Sequence, residues 1–360
     1  MASSSYASAL GRLKVLFPSF LSKESYAQLL NAKDVNEIAK QLESSPYAPE
    51  LTRSRSTYQG EILLEIAVNR TFIHRNLHAY EAAGFAGRPI VAAYLKRWDI
   101  QNIELILSSK AQGRSLTETE SHLVSSRDIP AGVLAGTMTL DDFRLLLGQP
   151  SLEAIASQLV RFGYGQILLP LFETYERTHN IFPLTHALDR EYYRQLLESL
   201  RFFQGDEWVV RHFVQSEIDV RNLLLLLKGI DAELPFEEVG NRFLEWGTLS
   251  RNGAQDLYSA RGVPELVESL LDRSPSLAEG KAAYAENRSL TGFDAALNVD
   301  RGIAEIRRMK TYPLSLAVIF TYLMLAELER ADLLRLVFGR LYGLPSSTIG
   351  PLLVSPRLGS

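Results

Sequence analysis

The chain has 360 residues, with 46% apolar and 22% charged side chains, a profile that excludes a disordered polymer and fits a folded body of two or three domains. Its 38 basic and 42 acidic residues leave a net charge of −4, so nothing in the overall balance draws it to nucleic acid or anionic lipid. It has no cysteine, which removes disulfide frameworks, thiolate metal sites and cysteine nucleophiles together.

The N-terminus, beginning Met1-Ala-Ser-Ser-Ser-Tyr6, lacks a basic region followed by an apolar one and does not read as a signal peptide. Helix signals start at Ser22. Ser22 is an N-cap residue with Glu24 in the first turn, and Asp34 opens a second short helix carrying Ile38, Ala39 and Leu42. Tyr47 and Leu51 follow. The same pattern returns 117 residues on: Thr139 caps, Asp141 and Asp142 follow, and Ser151 opens the second helix. In that register Tyr26 meets Phe143, Gln41-Leu42 meets Gln158-Leu159, and Tyr47 meets Tyr164. A fainter third copy starts near Ser250, with Leu257, Leu266 and Leu270 in the matching places.

Each copy continues through a long stretch of helical period. In the first, Ile62, Ile66, Ile73, Leu77 and Tyr80 mark the apolar face. In the second, it is Leu188, Tyr192, Leu196, Leu200 and Phe203. In the third, it is Phe293, Leu297, Ile303 and Ile306. No sustained alternation of period two occurs, and Asn252-Gly253 is not flanked by such strands to read as an Asn-Gly hairpin turn, so a sheet is not expected. The apolar stretch Tyr312 to Ala326 would rise only about 22 Å as a helix, short of a bilayer's hydrocarbon, and reads as a buried core helix.

Each copy closes on a second repeated segment. Asp99-Ile-Gln-Asn102 is matched by Asp219-Val-Arg-Asn222 and then by Glu329-Arg-Ala-Asp332, each leading into apolar residues. Lys110 with Gly113, and Arg340 with Gly343, supply a cation in the last turn and a glycine beyond it, a sound helix stop. The middle copy has Ile230 and Glu233 there and is expected to end its helix differently. The turn-rich stretches near 113–130 and 230–248 mark the boundaries, giving helical repeats over 1–120, 121–240 and 241–360.

Chemistry-bearing patterns are scarce. His74 and His78 share a helix face, but no His-Glu-x-x-His pattern or third ligand accompanies them. There is no phosphate loop, dinucleotide fingerprint or nucleophile elbow. The turns at Gly163-Tyr-Gly165 and from Gly132 to Gly136 have no strand before them. The triplets Asn69-Arg-Thr71 and Asn287-Arg-Ser289 read as incidental. No catalytic, metal or cofactor residue is therefore expected. The most specific polar signal is the repeated pair itself: Asp99 and Asn102, Asp219 and Asn222, Glu329 and Asp332. Spacing of three puts both members on one helix face. They read either as hydrogen-bonded fasteners between helices or as polar positions lining a socket around a central axis.

The chain resembles the central-stalk C subunit of archaeal and bacterial A/V-type ATPases, a relative of the d subunit of eukaryotic V-ATPases. The resemblance rests on the opening Tyr6-Ala-Ser-Ala-Leu-Gly-Arg12, the Asp-x-x-Asn segments at Asp99 and Asp219, and the closing Glu329 to Asp332 followed by Gly343-Leu-Pro345. Asp332 stands where that family usually has Asn. The resemblance implies an all-α fold of three similar domains about a pseudo-threefold axis, shaped as a funnel. It implies a cytoplasmic, membrane-peripheral adaptor that catalyses nothing. Its implied partners are the coiled-coil axle (the D subunit), the axle's companion (the F subunit) and the membrane proteolipid ring, with no nucleic acid and no small-molecule substrate. The alternative left by the residues alone is an open helical solenoid serving as a protein scaffold.

Overall fold

The computed structural model describes residues 5–114, 138–202, 207–260 and 262–358, and every regular element among them is helical. The N-terminal part runs through α1 (Ser5–Leu16), α2 (Lys23–Asn31), α3 (Val35–Leu42) and α4 (Ala48–Ser54). Three longer helices follow: α5 (Gly60–Ala82), α6 (Gly84–Leu95) and α7 (Arg97–Ala111). The second run comprises α8 (Leu140–Leu147), α9 (Leu152–Leu159), α10 (Gly165–Leu168), α11 (Phe172–Thr178), α12 (Phe182–Ser199) and α13 (Glu207–Asp231). The third comprises α14 (Phe236–Gly240), α15 (Arg251–Tyr258), α16 (Val263–Leu270), α17 (Leu277–Asn287), α18 (Thr291–Thr311), α19 (Ala317–Leu341) and α20 (Ser346–Ile349).

The start of each copy is built by local chemistry. Ser22 Oγ accepts from Ser25 N, and Asp34 accepts from Glu37 N at 2.9 Å. In the second copy Thr139 and Asp142 form a reciprocal capping box, and Ser151 accepts from Ala154 N. In the third, Ser250 accepts from Gly253 N, while α16 opens at Gly262 with Pro264 in its first turn instead of a side-chain cap.

The chain divides into two compact units. One is Met1–Leu64 together with Gly205–Ser360, and the other is Glu65–Gln204. In the first, α13, α18 and α19 pack on one another and α1 lies on α19. Phe17 and Phe20 pack their rings on buried Tyr322. The stretch from Ser315 to Met324 is buried at every position, so its hydrophobicity serves a protein core. Its helix starts only at Ala317, and Tyr312, Pro313 and Leu314 before it are exposed. No helix among the described residues is long and apolar enough to cross a membrane.

In the second unit α12 packs on α6 and α7, and Tyr192 donates its hydroxyl to Tyr94 O at 2.9 Å. Gly165 is required where α10 meets α9, since a Cβ there would lie 2.2 Å from Ala156 O.

Periodicity located the long helices and most of their buried positions, among them Ile66 and Ile73 in α5 and Phe293 and Leu297 in α18. Leu188, Tyr192, Leu196 and Leu200 are buried as the spacing requires, whereas Phe203 falls outside the described residues. Ile62 is 50% exposed and Ile303 is 37% exposed. The covered faces also use Leu63, Leu64, Ala67 and Val68 in α5, and Ala296, Val299 and Gly302 in α18.

Candidate functional site: the repeated polar clasps

The clasp of α13 is the most fully drawn. Asp219 Oδ1 accepts from Leu249 N at 3.0 Å, and Oδ2 accepts from Thr248 N at 3.1 Å and from the Thr248 hydroxyl. One helical turn on, buried Asn222 reads both groups of one peptide: Nδ2 donates to Leu244 O at 2.8 Å, and Oδ1 accepts from Leu244 N at 3.0 Å. The two side chains thus hold the connector from Leu244 to Leu249, directly before the Ser250 cap of α15. Gly247 lets that connector approach, because a Cβ there would stand 2.2 Å from Asp219 Oδ1.

The clasp of α19 repeats the scheme across the two ends of the chain. Glu329 Oε2 accepts from Leu21 N at 2.6 Å, and Oε1 accepts from the Tyr47 hydroxyl at 2.7 Å. Leu21 precedes the Ser22 cap as Leu249 precedes the Ser250 cap. Asp332 accepts from Val354 N at 3.0 Å, Ser355 N at 2.7 Å and Arg335 Nη1 at 2.9 Å. Arg340 donates to Leu344 O at 2.8 Å and to Leu30 O, and Ser346 Oγ donates to the same Leu30 carbonyl at 2.7 Å. Burial pushes the Asp332 carboxyl above the ordinary aspartate range, against the opposing pull of its backbone donors and Arg335. Burial, followed by the charges of Glu329 and Asp332, pushes the Tyr26 phenol up.

In α7, Asp99 is fully buried and Asn102 is 7% exposed. The Tyr164 phenol is raised by burial first and then by the nearby charges of Asp99 and Glu191. Tyr164 is the repeat mate of Tyr47, which bonds Glu329. The same tyrosine position of the start motif therefore sits by the acidic position of an end helix in both places.

Of the six repeated positions, five are buried and Asp219 is partly exposed. Two of the pairs hold the start of the next copy by hydrogen bonds, α13 at the cap of α15 and α19 at residues 21 and 47, while α7 packs against α8 and α9. The order closes on itself, because the last helix holds the first segment.

A feature missed in the sequence makes the kinship of the second and third pairs closer. The stretch 233–244 matches 343–354, with Leu234-Pro235 and Gly240 answered by Leu344-Pro345 and Gly350. The shared Leu-Pro was the available signal. The expectation that the middle copy ends its helix differently is corrected here. Arg114 N bonds Ser109 O, Leu234 N bonds Gly229 O and Leu344 N bonds Gly339 O, at 3.0, 2.9 and 2.8 Å. Gly113, Glu233 and Gly343 all take positive φ (66°, 53° and 71°). The three helices end in one motif, and Glu233 adopts a left-handed conformation that glycine takes without cost.

His74 and His78 are both exposed on α5, and no group of three or more metal-ligating side chains occurs among the described residues. Asn69 and Thr71 of the first triplet are buried within α5. The carboxylates of Asp219, Glu329 and Asp332 are occupied by backbone N–H groups, hydroxyls or a guanidinium. That arrangement joins segments; it does not present a reactive group to a ligand.

Residues 9–351 match the family described as ATP synthase (C/AC39) subunit. The chain is 32% identical over 355 residues to the C subunit of the A-type ATP synthase of Thermoplasma acidophilum, covering 99% of each. It is 34% identical over 350 residues to that of Thermoplasma volcanium, covering 97% of this chain and 98% of the relative. To the corresponding C subunit of Haloferax volcanii it is 28% identical over 355 residues, covering 96% of each. A match over almost the whole length, carried by an all-helical fold whose polar pairs recur at the positions of its internal repeat, makes this chain a member of the family of ATP synthase (C/AC39) subunits.

Proposed function

We propose that the chain is a non-catalytic coupling subunit of an A-type ATP synthase, seated between the axle of the soluble sector and the membrane proteolipid ring. In this reading it transmits torque and makes or breaks no bond. The sequence copies over 1–120, 121–240 and 241–360 form three domains about a pseudo-threefold axis, as a funnel. The axle (D) with its companion (F) enters one side, and the ring meets the other. The chain is then cytoplasmic and peripheral to the membrane, taking neither nucleic acid nor a small-molecule substrate.

The observation that carries this reading is the closed order of clasps. An adaptor that passes torque must not absorb rotation by internal bending. Each buried polar side chain that ties backbone to backbone resists opening, because leaving a buried partner unpaired costs about 1–3 kcal/mol. The clasp between α19 and residues 21 and 47 matters most, since it leaves the first copy no free end. Family membership supports the same placement.

The test is reconstitution. Purified chain mixed with the axle protein, and separately with detergent-solubilised proteolipid ring, should form a complex with each on size-exclusion chromatography. A folded sample that binds neither overturns the proposal. The scaffold alternative predicts an extended solenoid, which small-angle scattering would distinguish from a compact funnel.

A further inference from the structure

The third copy has lost both aromatic rings of its start motif. At the first ring position Tyr26 and Phe143 are answered, 111 residues beyond Phe143, by Ala254. At the second, Tyr47 and Tyr164 are answered in the same register by Pro275. Ser276, which directly precedes α17 as Tyr47 precedes α4 and Tyr164 precedes α10, carries no ring either. All four rings of the first two copies are 2% exposed or less. Tyr47 donates its hydroxyl to Glu329, the counterpart of Asp219, at 2.7 Å.

In the third copy the matching place is open. A cavity of about 250 Å³ lies beside Asp219 and Thr248, walled by Leu223 of α13, Leu257 of α15, Leu270 of α16 and Leu297 of α18. Leu257 is partly exposed, whereas its repeat mates Leu29 and Leu146 are 2% and 0% exposed. An apolar cavity of about 150 Å³ is enough to hold benzene, so this one has room for a substituted ring. Asp219 Oδ2 already accepts from the N–H and the hydroxyl of Thr248, and Oδ1 accepts from Leu249 N. A carboxylate has about four acceptor positions, which leaves one on Oδ1 for an incoming O–H. The charges around the cavity balance, Asp219 and Asp300 against Arg273 and Arg301. Asp300 is held by the Ser276 hydroxyl at 2.7 Å and Arg301 by Glu217 at 3.1 Å, so an uncharged guest fits best.

We infer that this cavity is a binding site for one neutral phenol ring from outside the chain, its faces on the four leucines and its hydroxyl on Asp219. The first two copies supply such a ring from their own sequence, and the third keeps the socket and the acceptor. A small phenol and a tyrosyl side chain of a partner protein share this chemistry. The site belongs to the chain alone and does not depend on the proposed coupling role.

The experiment titrates p-cresol, which is the tyrosine side chain as a free molecule, into the full chain labelled at its leucine methyl groups. NMR should show saturable shifts at Leu223, Leu257, Leu270 and Leu297, with a dissociation constant of about 1 mM. Toluene, which lacks the hydroxyl, should bind about fivefold more weakly. Val220→Phe, which places a ring of the chain's own in the cavity, should abolish the shifts, with thermal unfolding as the check that it folds. N-acetyltyrosinamide separates the two sources. Shifts at the same methyl groups assign the site to a tyrosyl side chain, and shifts with p-cresol alone assign it to a small phenol. If p-cresol leaves these methyl groups unmoved in the native chain, or moves only others, there is no such site. Toluene binding as tightly as p-cresol overturns the phenol assignment, and a folded Val220→Phe that binds p-cresol like the parent overturns the placement.

Discussion

The clasps of α13 and α19 occupy equivalent positions yet use different chemistry. Asn222 meets a peptide that presents both an N–H and a C=O, at Leu244. Asp332 meets two successive N–H groups, at Val354 and Ser355. An amide has one donor end and one acceptor end and suits the first; a carboxylate has two acceptors and suits the second. The first groups differ by one methylene, Asp219 against Glu329, and both reach the N–H of the residue before a cap serine. What the helix keeps constant is the direction of its two side chains. What varies is the backbone that comes to meet them.

The comparison can be broken most severely at the chain ends. Deleting residues 345–360 removes both backbone donors to Asp332 and the buried side chains of Leu353 and Val354. Limited proteolysis should then cut in the segment before α5 at least tenfold faster, since α2 in that segment loses its packing on α20 and on residues 355–357. The truncation should leave the Asp219–Asn222 clasp protected in hydrogen exchange. Equal loss of protection at Leu244 and Leu249 would mean that the clasps do not act separately.

Single clasp residues come next. Glu329→Ala leaves the Leu21 N–H and the Tyr47 hydroxyl without their shared acceptor. It should cost about 3 kcal/mol in denaturant unfolding, and Asn222→Ala should cost about 2 kcal/mol. A Glu329→Ala variant as stable as the parent would remove the case for a closed order.

Exchanging the two chemistries sharpens the point further. Asn222→Asp turns a carboxylate oxygen toward the Leu244 carbonyl and buries a charge, and should cost about 2–3 kcal/mol near neutral pH. Asp332→Asn turns an amide N–H₂ toward a backbone N–H but removes a buried charge, so its cost should be smaller, about 1 kcal/mol. The pH dependence has a definite sign. Burial raises the folded-state pKa of Asp332 above its unfolded value, so the group's contribution is fully present below the unfolded pKa. It is lost as pH rises through the raised folded value. The penalty of Asp332→Asn should therefore be largest in acid and shrink toward neutrality. Urea unfolding of both proteins across that range measures it, and a penalty that grows with pH would contradict the burial argument.

The smallest effect is at the helix stops. Glu233 holds a left-handed conformation that Gly113 and Gly343 take freely. Glu233→Gly should stabilise by about 0.5 kcal/mol, the relief of strain being partly offset by greater freedom of the unfolded chain, and should raise the melting temperature slightly.

Much of this was legible in the residues. Ser22, Asp34, Thr139 and Ser151 cap the helices they were expected to open, because a cap is a bond between near neighbours. The pairs at 99/102, 219/222 and 329/332 stood out because the repeat marks them three times. Glu233 misled because side-chain identity alone argued against a left-handed residue, whereas the Leu-Pro that follows it held the better signal. Ile62 and Ile303 misled because spacing finds a helix's apolar stripe without saying which part of it a neighbour will cover.

The sequence by itself determined the helices, their starts and stops, the internal repeat and the residues able to clasp, since each depends on chemistry within a few positions or on comparison of the chain with itself. Only the tertiary structure decided what each clasp holds. Glu329 lies 308 residues from Leu21 and 282 from Tyr47, and no local preference links them. Packing brings those segments together, and once they are buried, each polar group must find a complement in whatever backbone has been brought beside it.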